Sequence, residues 1–166
     1  MIPSAAGAHP PSRNPMTIAD MLAPEDVLLD LRVADKRRLI DELARRAAGW
    51  AAVEPAVLAE ALGAREALGS TGMGSGIALP HARLPTVARP RGLFARLRPA
   101  VDFDAVDGER VDLVFLLLLP APAQAEHLNA LALVARKLRD EEVRAELRRV
   151  RAADQLFAVL ARDGWG

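Results

Sequence analysis

The run VDLVFLLLLP, Val111 to Pro120, decides the fold. Apart from Asp112 it is apolar without alternation, the pattern of a central strand covered on both faces rather than one with a wet side. Extended to Ala123 it is broken by Asp112 and two prolines, and it falls short of the roughly 18 residues a membrane helix needs. The segments around it supply the covers. GLFARLRP (92–99) reads as a second strand, and DFDAVDGER (102–110) reads as the turn between the two, marked by Asp107-Gly108.

Further upstream, a short helix at TIADML leads into an extended apolar segment, Val27 to Val33. DKRRLIDELARRAAGW places Leu39, Ile40, Leu43 and Ala47 at helical spacing, with Asp35 as the capping residue. PAVLAEALGAREAL opens on Pro55, which suits a first helical turn, and reads as a second helix. From Gln124 onward the chain reads as helical. Leu128, Leu131, Ala135 and Leu138 form one stripe, Val143 and Leu147 a second, and Leu156, Val159 and Leu160 a third. Helices on either side of a sheet-forming middle predict an α/β fold: one layered domain, a mixed β-sheet flanked by helices. Residues 1–15, rich in Pro, Ser, Gly and Ala, read as a disordered tail without the features of a secretory signal, and they carry an inert His9. The domain is expected to occupy residues 16–163.

Composition narrows the function. The 166 residues carry 22 Lys and Arg against 22 Asp and Glu, so no global charge draws the chain to nucleic acid or to an anionic membrane. There is no cysteine, which removes disulfides, thiol catalysis and Cys-based metal sites. His81 and His127 lack the spacing of a metal motif, so neither metal nor cofactor is expected. Aromatic residues make up 4%, so the core is aliphatic.

One loop stands apart. GSTGMGSGIALPHARL, Gly69 to Leu84, packs glycines ahead of Pro80-His81. It fits neither a P-loop, since Gly74 is followed by Ser75-Gly76, nor a dinucleotide fingerprint, nor a hydrolase elbow. What it offers is a flexible backbone rich in N–H groups, the hydroxyls of Ser70 and Thr71, and an imidazole just beyond. Successive amides cradle anions, and neutral imidazole is a nucleophile near neutral pH. Taken alone, a histidine in such a loop is more often structural.

The wider stretch REALGSTGMGSGIALPHARL (65–84) resembles the active-site signature of enzyme IIA proteins of the bacterial phosphotransferase system, fructose–mannitol class, and within it the nitrogen-regulatory type. FDAVDGERVDLVFLLLLPA, HLNALALVARKLRD and DKRRLIDELARRAA extend the resemblance over about Met16 to Arg162. It implies the mannitol/fructose-type enzyme IIA fold and a cytoplasmic phosphocarrier whose donor is a small HPr-like protein. His81 is then the phosphoryl acceptor, Arg65 neutralises the phosphate, and His127 is a second active-site histidine. Ser70, Thr71 and Gly72 are the expected phosphate-binding residues. Ala82 departs from the signature, where glycine is common.

Other readings accompany these. Arg65 alone reads as a solvated helix residue paired with Glu60 or Glu66, and His127 as half-buried beside Leu128 and Leu131. His127 is expected in the first turn of the helix after Pro122, where the helix dipole disfavours a positive charge. Arg83, Arg89, Arg91, Arg96 and Arg98 form an acid-free stretch, which either opposes phosphate charge or solubilises. RKLRDEEVRAELRRVR (136–151) reads as a solvated helical face. Three functions compete: a regulator acting on protein targets through its phosphorylation state, a sugar-specific IIA that passes phosphate to a IIB domain, and an interaction module without phosphorylation.

Overall fold

The computed structural model describes residues 16–162; the expected tail and His9 lie outside them. Six strands form one mixed sheet. Strand β1 is Val27–Leu31, β2 Gly72–Gly74, β3 Ile77–Ala78, β4 His81–Leu84, β5 Arg91–Val101 and β6 Val111–Pro120. Along the sheet the order is β1-β5-β6-β3-β2, and β4 also pairs with β6. The β5–β6 and β2–β3 pairs are antiparallel, while β1–β5, β3–β6 and β4–β6 are parallel.

The unbroken run takes the central place its pattern predicts. Val114, Leu116 and Leu118 join one core, with Leu113, Phe115, Leu117 and Leu119 in the other, as a period of two requires. The first core is closed by α2 (Lys36–Ala51) and α3 (Pro55–Ala67). The second is closed by α1 (Ile18–Met21), α4 (Ala130–Arg139), α5 (Glu141–Arg149) and α6 (Ala153–Ala161). The chain is a three-layer α/β domain. Each fully buried Leu or Phe of β6 contributes about 1.5–3 kcal/mol, so this strand anchors both cores. Among the described residues no helix is long and apolar enough to cross a membrane.

Local signals account for most boundaries. Asp35 caps α2 by accepting from the Arg38 amide at 2.8 Å, and Pro55 opens α3. Asp140 caps α5 through the Val143 amide at 3.0 Å. Gly92 on β5 faces Phe115: a Cβ there would stand 2.3 Å from the ring. Phe115 is fully buried, so it has little room to yield. Gly92→Ala is expected to lower stability by about 1–3 kcal/mol, read by urea denaturation.

Three expectations need correction. The glycine loop is largely a hairpin: β2 and β3 are joined by Ser75-Gly76, whose φ angles of 58° and 78° suit a two-residue hairpin turn. The last helical segment starts later than Gln124. A 3-10 turn covers Ala125–His127 and α4 begins at Ala130, so the buried stripe is Ala130, Val134 and Leu138, and Leu128 is 62% exposed. The arginine stretch is mostly structural. Arg91 pairs with Asp26 at 3.1 Å and stacks on Trp50, while Arg96 is buried and binds Asp30 at 2.8 Å. Beyond these, the extended segment expected to reach Val33 ends as a strand at Leu31.

Candidate functional site

His81 is the first residue of β4, opposite Leu117 of the central strand. The backbone of its neighbour Pro80 is tied down as well, because the Leu117 amide donates to the Pro80 carbonyl at 2.9 Å. The histidine therefore stands on a rigid ladder while its ring stays half-buried. Ala82 pairs regularly with Leu118, so nothing at that position calls for glycine.

Both ring nitrogens have a partner. Nδ1 lies 2.9 Å from the Leu79 carbonyl, and a carbonyl can only accept, so Nδ1 carries the proton. Nε2 then presents its lone pair, and it accepts from the Arg65 Nε–H at 3.2 Å. A second donor of the same guanidinium binds the Gly69 carbonyl at 2.8 Å. Arg65 sits in the last turn of α3, and among the described residues it joins neither Glu60 nor Glu66; it turns to the histidine and to the loop.

An open cavity of about 410 Å³ lies over this pair, lined by Arg65, His81, Thr71, Leu79, Leu131 and Arg139 among others. Arg139, in the last turn of α4, adds a second arginine to the cavity wall. Sequence reasoning missed it, because in a run of mixed charges only the helix orientation tells which residue faces the site.

Ser70, Thr71 and Gly72 also line the cavity, but the two hydroxyls and the Thr71 and Gly72 amides point elsewhere. The Ser70 hydroxyl donates to the Phe103 carbonyl at 2.7 Å and accepts from the Gly72 amide at 3.0 Å. The Thr71 amide and hydroxyl both bind the Glu66 carboxylate, the amide at 3.0 Å. The expected cradle of free amides is thus a folded wall whose polar groups satisfy one another. Glu66 also takes Lys36 Nζ at 2.9 Å, so this nearly buried carboxylate is charge-paired.

His127 closes the 3-10 turn ahead of α4, and it is not among the residues lining the cavity. Its Nδ1 is buried, with no hydrogen-bond partner among the described residues. Because α4 starts only at Ala130, His127 lies before the helix rather than in its first turn. The helix-dipole expectation for it therefore does not carry over.

Residues 20–163 match the sequence model of the family described as phosphoenolpyruvate-dependent sugar phosphotransferase system, EIIA 2. The chain is similar to a nitrogen regulatory protein of Bradyrhizobium diazoefficiens, 46% identical over 146 residues, covering 88% of this chain and 95% of that protein. A nitrogen regulatory protein of Pseudomonas aeruginosa is 38% identical over 144 residues, covering 86% and 94%. Among solved structures, nitrogen regulatory protein IIA-Ntr from Neisseria meningitidis superposes with a TM-score of 0.82 at 39% identity, covering 86% of this chain and 98% of that one. IIA mannitol from Escherichia coli superposes with a TM-score of 0.68 at 25% identity, covering 84% and 98%.

Proposed function

The chain belongs to the EIIA 2 family of the phosphoenolpyruvate-dependent sugar phosphotransferase system, and we propose that it carries the phosphoryl group on Nε2 of His81. One observation carries the choice of atom: Nδ1 is held as a donor on Leu79, which leaves the Nε2 lone pair facing Arg65 at the cavity.

The transfer balances simply. The donor is a phosphohistidine on a small HPr-like protein. The His81 Nε2 lone pair forms the new P–N bond while the old one breaks, and its electron pair returns to the donor's ring nitrogen. The Nδ1 proton stays on the His81 ring, donated in a hydrogen bond to the Leu79 carbonyl. Arg65 releases Nε2 as the phosphorus arrives and turns its planar donors to the phosphoryl oxygens, with the Gly69 carbonyl keeping it in place. His127 is given a supporting role on the resemblance, and Ser70, Thr71 and Gly72 shape the wall behind the phosphate.

Arg65→Ala is expected to slow phosphoryl uptake by about 100- to 1,000-fold, equivalent to ~2.7–4 kcal/mol, the usual cost of one positioned donor at a developing charge. Among the described residues its side chain binds His81 and Gly69 alone, so thermal melting should move little. His127→Ala is read in the same assay. Normal rates in both variants would return both residues to structural roles.

The names of the relatives, nitrogen regulatory protein, favour a regulatory role; the cytoplasmic setting, and protein targets that read the phosphorylation state, come from the resemblance. A phosphoryl group adds roughly −1.5 to −2 charges. Placed over the buried Leu79 and the half-buried Leu131, that charge has to be desolvated or matched by any partner docking there. The test is incubation with a phosphorylated HPr-type carrier and, separately, with an isolated fructose-type IIB domain. An acid-labile, base-stable adduct that is not passed to IIB supports the regulatory carrier, and efficient passage to IIB supports sugar transfer. A chain that takes up no phosphate returns the protein to an interaction module.

A further inference from the structure

The Leu79 carbonyl that fixes the His81 ring has an unusual weakness. It belongs to the Leu79–Pro80 peptide, and proline contributes no N–H, so that peptide plane has no donor of its own to anchor it. Its anchoring comes from the other side of Leu79, whose N–H donates to the Thr71 carbonyl at 3.1 Å. Thr71 in turn is gripped at amide and hydroxyl by the Glu66 carboxylate. That carboxylate is held by Lys36, which also donates to the Phe103 carbonyl at 3.3 Å. Glu66 is only 7% exposed at its side chain and Thr71 is 7% exposed, so water does not substitute easily for these bonds.

Arg65 and Glu66 are consecutive in α3 and opposite in charge, yet they grip the same imidazole from opposite ends. Arg65 meets Nε2 directly, and Glu66 reaches Nδ1 through Thr71 and Leu79. We propose that Glu66 is a positioning residue for the phosphoryl transfer: through Thr71 and Leu79 it holds His81 in the tautomer and orientation that leave Nε2 as the nucleophile. Which nitrogen of a histidine carries the proton is set by the bond its other nitrogen makes, and here that bond is only as firm as the Glu66–Thr71 clasp behind it. Glu66 touches neither the ring nor the incoming phosphate, and Lys36 neutralises its charge, so the carboxylate supports the site without repelling the dianion.

The inference rests on His81 being the acceptor, and its test separates the two ideas. Glu66→Gln keeps the shape but gives up the charge, Thr71→Val removes the hydroxyl donor, and Thr71→Ser keeps it. Each is compared with the intact chain in phosphoryl uptake from a phosphorylated HPr-type carrier and in the ¹⁵N shifts of labelled His81. The intact chain should show a protonated Nδ1. Glu66→Gln and Thr71→Val should show a growing share of protonated Nε2 and an uptake about 10- to 100-fold slower, the usual loss when an outer-shell partner is removed. Thr71→Ser should restore both. Should Glu66→Gln fail to fold, the Thr71→Val and Thr71→Ser pair reads the same clasp. Unchanged tautomer signals in the variants, even with slower uptake, overturn the proposal. Absence of uptake in the intact chain overturns the acceptor reading itself.

Discussion

His81→Ala protein, incubated with a phosphorylated HPr-type carrier, is expected to take up no acid-labile, base-stable phosphoryl group, while the unaltered chain should be labelled. The effect is all-or-none because the described site offers no second imidazole: the cavity lining contains His81 and not His127. The fold should survive. The β4 strand is held by backbone pairing along Leu117 to Pro120, which alanine keeps, and the ring is only half-buried. A melting temperature near that of the unaltered chain, together with complete loss of label, is the expected pair of results. Label that persists in His81→Ala sinks the assignment.

The largest effect on stability is expected at Arg96. This arginine is 5% exposed, inside β5, on the sheet face covered by α5 and α6. Its Nε–H binds Asp30 at 2.8 Å, and one amino group donates to the carbonyls of Leu147, Arg148 and Val150 at 2.9, 3.4 and 2.5 Å. Those carbonyls belong to the end of α5, where a helix has no internal partners left to offer. Arg96 closes the helix end and ties it to β1 through Asp30. Arg96→Met keeps most of the volume but leaves these acceptors buried without donors. The expected cost is about 3 kcal/mol, in the lower part of the range for a broken buried pair because Asp30 keeps some access to water. In a chain of this size that lowers the melting temperature by roughly 6–12 °C.

The same pair gives the loss a pH dependence. The hydrogen bond from Arg96 holds the Asp30 carboxyl below its ordinary value, against the opposing effect of burial. A group whose pKa is depressed by folding adds stability above its unfolded pKa and loses that addition as pH falls through the folded one. The gap between the unaltered chain and Arg96→Met should therefore be widest near neutral pH and should narrow in acid, read by urea denaturation across pH. A gap that widens in acid would contradict the role given to Asp30.

Arg96 also shows where sequence reading stops. In GLFARLRP it reads as one of several surface charges, and nothing local says that the end of a helix some fifty residues later will cover it. The central strand was legible because its signal is local and strong: an unbroken apolar run needs cover on both sides, and the helical stripes on either side of it provide that cover. Asp35 and Pro55 were legible for the same reason, since a cap acts within one turn. The β2–β3 hairpin was not, because strands of two or three residues rich in glycine and alanine show no alternation, and they exist here by pairing with β6. The start of α4 was misplaced because the apolar pattern runs on through Leu128, while the chain turns as a 3-10 segment first. At the site, the resemblance singled out His81 and Arg65, and the fold sets their bond at 3.2 Å. The Glu66 clasp stayed hidden because it joins α3 to Lys36 of α2 and to Thr71, just ahead of the hairpin.

The phosphoryl group is expected on one atom, Nε2 of His81, and phosphorus–nitrogen NMR reads it directly. Protein labelled with ¹⁵N at its three histidines is phosphorylated by the HPr-type carrier, and the ³¹P–¹⁵N coupling of the adduct is measured. The expected result is a single adduct, with phosphorus coupled to Nε2 of His81 and with Nδ1 still protonated against Leu79. Phosphorus coupled to Nδ1 of His81, or to a nitrogen of His9 or His127, would contradict it.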